Sequence, residues 1–458
     1  MNPRRLLTLV FCLVPVVAAA DDAFRSLAEQ NWHQWRGPQA TGVAPHSDPP
    51  IEWSESKNIK WKTKIAGEST ATPIVWGDRV FTTSAVMTDR TIDLPEDDSS
   101  PRGPYKISKP KNYYKFQVAC FDRKTGKQLW EHTATEAVPH EGHHPDGTFA
   151  SASPTTDGQR LYVSFGSRGI YCYDLDGKQL WNRDFGPMQI IFTFGEGTSP
   201  VIHGDRVIIN WDHQAAVKDP KAEGSFITAL DAKTGETIWK TDRDESTTWA
   251  TPLVVEYGDG AQVVVQGGKR VRSYDVSNGE MIWACGGQKP TPIPSPVSDG
   301  VNVFCMSGYL GSTVYAIPLS SQGDITEWAT KKEPEKLAWK REKPGAPYVP
   351  SPLLYDELLY YTQSNRGILS CVNATTGESL IERTRLQGVA NLYGSPVGAA
   401  GRVYFTSRDG TTLVIKKGSG VETLATNKLD DAFDGSMAVA GNEIFLRGKE
   451  SLYCIAAE

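Results

Sequence analysis

After Thr72 the chain alternates short apolar runs with polar turns, as in VIHGDRVIINWDH (Val201–His213) and SFITALDAKTGETIWK (Ser225–Lys240). Runs this short, rich in β-branched and aromatic residues and bounded by Gly, Asp and Pro, predict strands joined by tight turns. Two spellings recur. One opens Ser/Thr-Pro, continues as an apolar run, passes a Gly-Asp type turn and returns as a second run. It starts at Thr72, Ser153, Ser199, Thr251, Ser295, Ser351 and Ser395, with Ser436-Met437 as a degenerate copy. The other is ALDAKTGETIWK (Ala229–Lys240), echoed by CFDRKTGKQLWE (Cys120–Glu131), CYDLDGKQLWN (Cys172–Asn182), SYDVSNGEMIWA (Ser273–Ala284) and CVNATTGESLIE (Cys371–Glu382). Proline at a strand's first residue removes no ladder hydrogen bond, which accounts for its fixed place. In Asp-x-x-Thr-Gly, the Asp bonds back to turn amides and the Gly takes the positive φ of a tight hairpin.

Two hairpins joined head to tail make a four-stranded antiparallel unit. Eight such starts, spaced by roughly 40–80 residues, fit propeller blades better than a helical solenoid. The expected fold class is all-β: an eight-bladed β-propeller of four-stranded antiparallel blades. The last unit stops after Glu443–Arg447 and Leu452–Ala456, one strand short, while NIKWK (Asn58–Lys62) stands near the start without a partner. Ile59–Thr63 is expected to supply the eighth blade's fourth strand, so that an N-terminal strand joins the C-terminal blade and closes the ring. Closure removes two exposed sheet edges. The domain division expected is 1–20 signal peptide, 21–58 N-terminal extension packed on the propeller, and 59–458 propeller. The two Trp of NWHQWRGP (Asn31–Pro38) are expected against the ring's side or across one face.

Trp61, Trp130, Trp181, Trp239, Trp283 and Trp339 end the outer hairpins and read as structural. Each would bury on the order of 200 Å² where blades meet and needs one partner for its ring N–H. At about 25 cal/mol per Å², that is several kcal/mol per residue. The sixth and seventh units carry Ile381 and Leu424 near that point, so those sectors are expected to be softer.

Arg4 and Arg5, the apolar run Leu6–Val17 and Ala18-Ala19-Ala20 read as a secretory signal peptide, too short for a membrane span. The mature chain is expected to be periplasmic or secreted. The net charge is −6 with Lys and Arg scattered, which argues against nucleic acid as a partner. Cys120, Cys172, Cys371 and Cys454 sit two residues before the repeat's Asp or its replacement and read as small buried residues. Cys285 and Cys305 are left as a candidate disulfide pair.

The pattern Ala-x-Asp-x-x-Thr-Gly-x-x-x-Trp, best kept in Ala229–Trp239, resembles the repeat of the pyrroloquinoline quinone-type β-propellers over nearly the whole mature chain. The resemblance implies that each Trp docks its blade on the next. It also implies two functions, because that superfamily holds both eight-bladed quinoprotein dehydrogenases and non-enzymatic BamB-like outer-membrane assembly factors. Under the second, the chain is a non-catalytic envelope scaffold, a monomer with a protein partner and no cofactor. BamB-like proteins are usually lipid-anchored, and this signal carries no lipidation site. Under the first, pyrroloquinoline quinone and Ca²⁺ sit over the channel, with Trp249 as a stacking face and Glu196 and Asp212 as oxygen ligands. The vicinal Cys-Cys and the C-x-x-C-H haem attachment of such enzymes are absent from the sequence. The scaffold is the favoured reading, the dehydrogenase its alternative, and a glycan-binding propeller using Trp249, Tyr348 and Tyr393 a further one.

In such a blade, the loop entering the inner strand and the turn between the second and third strands share one face. That face is expected to gather His140, His143, His144, Glu196, Asp212, His213, Trp249, Tyr348 and Tyr393, with Arg168, Arg366 and Arg408 on the second turns. PHEGHHPDG (Pro139–Gly147) offers His140, His143 and His144, with Glu141 and Asp146, as Zn²⁺ or Cu²⁺ ligands, or else is a structural loop. The Asp212-His213 pair suggests a general base, but neighbours on a strand point to opposite faces, which favours a structural or ligand-lining role. No catalytic residue is assigned. The repeated arginines either pair with a carboxylate on the next blade or form a positive ring. The insertion Thr88–Lys115 is expected to be a mobile loop or a partner-binding arm.

Overall fold

The repeat unit folds as two successive hairpins, and in blade 3 each step of that design is visible in a computed structural model that describes residues 23–94, 103–214, 223–332 and 335–457. Its strands Val201–His203, Arg206–Trp211, Ser225–Asp231 and Thr237–Arg243 pair antiparallel in sequence order. Asp231 Oδ1 accepts the amides of Lys233 and Thr234, and Gly235 (φ +70°) completes the outer turn. Eight sheets of this kind form among the described residues. First strands of successive blades touch, which places them around a common axis. The core lies between blades: Tyr162, Cys172 and Trp181 of blade 2, for example, pack on Ile202, Val207 and Leu230 of blade 3. The eight-bladed all-β propeller expected from the repeats is thus the observed fold. The segment read as a signal peptide, 1–20, lies outside the described residues. No helix among the described residues is long and apolar enough to cross a membrane.

Ring closure follows the expected route. Ile59–Lys64 runs antiparallel to Ser451–Ala456 as the fourth strand of blade 8, with Trp61 opposite Cys454. In all six tryptophan-bearing blades the Trp faces a small residue across the outer hairpin: Cys454, Cys120, Cys172, Ala229, Ser273 or Ala316. In five of them the indole N–H donates to a carbonyl of the following blade, as from Trp181 to Ala232 at 3.1 Å. Trp181 also lies flat on Gly235, where a Cβ would come within 2.7 Å of the ring. The glycine therefore serves both the turn and the contact. Trp283 differs and donates to Gln262 of its own blade. The turn it would have met is replaced in blade 5 by an insertion. Gly323–Asp324 of that insertion pairs parallel to Met281–Gly286 and covers the outer edge of blade 4. In blade 7 the residue in the tryptophan register is Ala425, opposite Val414; Leu424 is exposed. The bulge here is shared with the other blades, but the outer turn of blade 7 is one residue longer than that of blade 3, which shifts the register by one.

The N-terminal extension departs from expectation. Instead of lying on the side or across a face, residues 32–44 enter the channel and pair with the inner edges of the first strands. Trp32 exchanges both backbone hydrogen bonds with Val75 of blade 1, and His33 C=O accepts from Thr156 of blade 2. Thr41 C=O accepts from Leu354 of blade 6, and Val43–Ala44 runs parallel to Val397–Ala399 of blade 7. Arg36, 1 % exposed, donates to the carbonyls of Pro352 (2.7 Å) and Pro396 (2.8 Å). Burial among carbonyls lowers its pKa to about 9, which leaves it charged at neutral pH. The physical reason is that inner strands present unpaired N–H and C=O groups to the axis, and the extension satisfies them. The insertion in blade 1 also departs in part: its ends continue the strands Arg79–Thr91 and Asn112–Asp122 as a long hairpin, with Met87 opposite Tyr114. Cys285 and Cys305 are buried free thiols, not a disulfide.

The Ser/Thr of each Ser/Thr-Pro start forms an inter-blade belt. From Thr72 to Ser395 the amide of each donates to the hydroxyl of the next: Thr72 to Ser153, then Ser199, Thr251, Ser295, Ser351, Ser395 and Ser436, at 2.9–3.1 Å. The belt breaks only at the seam, where Thr72 Oγ1 is buried without a partner. This gives one repeat position two opposite outcomes. Ser199→Ala orphans the Ser153 amide and is expected to cost about 1–3 kcal/mol, whereas Thr72→Ala deletes an unpaired oxygen and is expected to be neutral or stabilising. Denaturant melts of both variants check the contrast.

Candidate ligand-binding cup

The belt marks the level at which the channel opens. Above it, on the face formed by the loops between blades and the second turns, lies a cavity of about 620 Å³. Trp35, rising from the channel segment, sits at its base and donates to Ser295 Oγ at 3.1 Å. The walls are aromatic. Tyr309 and Tyr348 stack at 5.1 Å and 22°, Trp249 donates to Gly195 C=O at 2.7 Å, and Tyr105 packs edge-on to His144 and Phe194. Tyr105 belongs to the insertion of blade 1, whose described end therefore folds over the cup.

One wall is polar and internally bonded. Arg408 donates to Asp146 at 2.8 Å and to Asp434 through Nε, with its guanidinium 4.3 Å from the Tyr393 ring. Tyr393 in turn donates to Asp146 at 2.8 Å. Burial alone would raise Asp146, but the Tyr393 hydroxyl and the Arg408 guanidinium hold it below its ordinary value. Asp146, Tyr393 and Asp434 come from the loops between blades 1 and 2, 6 and 7, and 7 and 8, and Arg408 from the second turn of blade 7, so the network straps the ring across its seam.

A second recess of about 40 Å³ lies beside the cup under Glu196. Glu196 accepts the Ser167 amide at 2.7 Å and also the Ser167 hydroxyl. Burial pushes Glu196 up to about 7 against those two lowering bonds. His140 lies 3.9 Å from the carboxylate, but its Nε2 bonds the Met188 carbonyl, and burial lowers it to about 4. Serine, glutamate and histidine are near one another here, but the imidazole does not touch the hydroxyl, which donates to Glu196 and accepts from the Met188 amide, so no Ser–His pair forms.

The cup thus brings together His144, Glu196, Trp249, Tyr348 and Tyr393 of the residues singled out from the sequence, and Arg408 stands behind its wall. Asp212 is elsewhere. It is 2 % exposed and paired with Arg243 at 2.8 and 3.0 Å, with Thr248 and Asn210 completing its bonds, because Arg243 at the end of the outer strand lies directly across the blade. His213 is buried beside it. Arg168 donates to Val138 C=O, and Arg366 is exposed. The three histidines of Pro139–Gly147 do not converge: His140 turns to Met188, His143 to the His144 carbonyl and His144 towards Asp146. Among the described residues, no group of three or more His, Cys, Asp or Glu assembles as a metal set. Trp35, Tyr105, Phe192, Phe194, Tyr309, Asp434 and the belt hydroxyls were not singled out from the sequence. The signals there were the recurrent Ser/Thr before Pro, the NWHQWRGP stretch that holds Trp35 and the Thr88–Lys115 insertion that holds Tyr105.

The pyrroloquinoline quinone and calcium implied by the resemblance meet a poor fit. The quinone carries three carboxylates, while the described lining of the cup holds Asp146, Glu196 and Asp434 and no Lys or Arg. Asp212, the second proposed calcium ligand, is committed to Arg243.

Comparison with known proteins adds the following. The family model described as outer membrane protein assembly factor BamB matches residues 115–383. No curated protein sequence matches the chain. Among solved structures, BamB from Moraxella catarrhalis is similar over 82% of this chain and 98% of that one, with a TM-score of 0.50 and 14% identity. A quinohemoprotein alcohol dehydrogenase from Comamonas testosteroni is similar over 96% and 83%, with a TM-score of 0.60 and 11% identity. Likeness at such identities is likeness of fold.

Glu196 supplies a pH test. Its folded pKa of about 7 lies above the ordinary 4.5, so the folded state holds a proton that the unfolded chain has released. Stability is expected to fall by about 2–3 kcal/mol as pH rises through that interval, and to flatten in Glu196→Gln. Melts between those two pH values measure it.

Proposed function

The chain belongs to the family described as outer membrane protein assembly factor BamB, and from that premise we propose that it is a non-catalytic propeller of the cell envelope that recognises a partner through its cup-bearing face. The observation that carries this reading is the commitment of the cup's reactive groups to one another. Arg408, Asp146, Asp434 and Tyr393 form a closed network, and Glu196 and His140 are held by Ser167 and Met188. What remains open is aromatic and hydroxyl surface, suited to recognition, and no Ser–His pair faces it. The channel segment supports the same reading, since it makes the ring a one-sided receptor on a rigid body. An envelope location agrees with the signal-peptide reading of residues 1–20 and with the family description.

Photo-crosslinking residues at Phe192 and Leu310, exposed on the cup rim, are expected to capture an envelope protein, while the same group at Val301 on the opposite turns does not. Equal capture from Val301, or none from the rim, overturns the proposal. Pyrroloquinoline quinone with Ca²⁺ is expected to leave the absorbance and melting curve unchanged. A saturable shift that Trp249→Ala abolishes would replace the scaffold by the dehydrogenase.

A further inference from the structure

We propose that the cup is a carbohydrate site, taking a neutral oligosaccharide of two or three pyranose units. This rests on the reading of that face as a non-catalytic recognition surface and names what its centre binds. Four features point to this chemistry.

The first is the state of the belt hydroxyls. Ser153, Ser199, Thr251, Ser295, Ser351, Ser395 and Ser436 border the cup, and each accepts a neighbouring blade's amide. Among the described residues none of them has an acceptor for its own O–H. A hydroxyl that accepts at one lone pair still holds a proton to give, so the base of the cup is a circle of donors seeking acceptors. Sugar hydroxyl and ring oxygens are such acceptors, arrayed around the rim of a flat ring.

The second is the wall. The parallel Tyr309–Tyr348 pair and Trp249 present flat apolar surfaces, which suit the C–H faces of a pyranose. A volume of about 620 Å³ lies within the range of small-molecule sites, about 300–1,000 Å³.

The third is charge. With no Lys or Arg in the described lining and three carboxylates present, an anionic ligand such as a nucleotide or a phosphorylated lipid is disfavoured. Arg408 is shared between Asp146 and Asp434, and Glu196 titrates near neutrality, so little net charge remains to draw a cation. A peptide strand is disfavoured for another reason: it would add to a free sheet edge. The inner edges of blades 1, 2, 6 and 7 are already taken by residues 32–44.

The fourth is backbone strain on the rim. Phe192 and Thr193 sit at φ +54° and +57°, Thr291 at +54° and Leu310 at +52°. Bulky and β-branched residues in the left-handed region cost free energy and persist where the surroundings hold them. Three separate rim loops carry such residues, which fits a cup pre-organised for its ligand.

The test uses the full mature chain with maltotriose, cellotriose and chitotriose, read by calorimetry and tryptophan fluorescence. At least one is expected to bind with one-to-one saturation, with an affinity unchanged between low and high salt. Tyr348→Ala and Trp249→Ala are expected to weaken it about tenfold or more, Tyr348→Phe to keep it, and Tyr257→Ala, on the opposite face, to leave it unaltered. Thermal melts confirm that each variant is folded, and wild-type binding decides the matter if one is not. No binding of any probe at millimolar concentration overturns the proposal, as does binding that survives both cup variants. If rim crosslinking persists while all three sugars fail, only the ligand class falls. If both fail, the recognition face falls with it.

Discussion

Everything else in this molecule depends on joining the two ends of the chain at one seam. A propeller of open-ended blades would leave a first and a last sheet with free edges and an axis lined with unpaired backbone groups. Three separate pieces meet that constraint. Ile59–Lys64 completes blade 8 from outside. Residues 32–44 pair with inner strands on both sides of the seam, from blades 6 and 7 through to blades 1 and 2. Arg408 ties a loop after blade 7 to a loop after blade 1. The belt of hydroxyls, continuous elsewhere, is interrupted at this place, which is why the other three connections matter most there.

The same arrangement shapes the cup. Filling the channel from within gives the cavity a base, and Trp35 on that base is carried by the segment that seals the axis. The belt that couples blade to blade also borders the opening with its hydroxyls. Stability and recognition therefore use the same atoms, in that the oxygen of each Ser or Thr holds a neighbouring amide while its hydrogen stays unengaged. The acidic lining follows a similar economy: Tyr393 and Arg408 hold Asp146 below its ordinary pKa, and the bonds from Arg408 to Asp146 and Asp434 strap the rim. Glu196, where burial outweighs the Ser167 bonds and the pull of Arg168, is left with its proton near neutrality.

The repeats by themselves determined the blade count, the order of strands, the closing strand and the face on which loops gather. These features follow from local rules. Proline tolerates a strand's first position, Gly and Asp dictate turns, and short apolar runs mark the buried inner strands. The small residues opposite Trp were legible for the same reason, since Cys120, Cys172 and Cys454 recur at one register. Tertiary structure alone decided the rest. Asp212 and Trp249 look equally available in the sequence, yet Arg243 across the blade buries one while the other lines the cup. The turn, one residue longer than in blade 3, that puts Ala425 and not Leu424 in the tryptophan register shows only once the strands are paired. The course of residues 32–44 carries no periodic signal, because what fixes it is the set of unpaired backbone groups on four other blades, far away in the chain and adjacent only once the ring has closed.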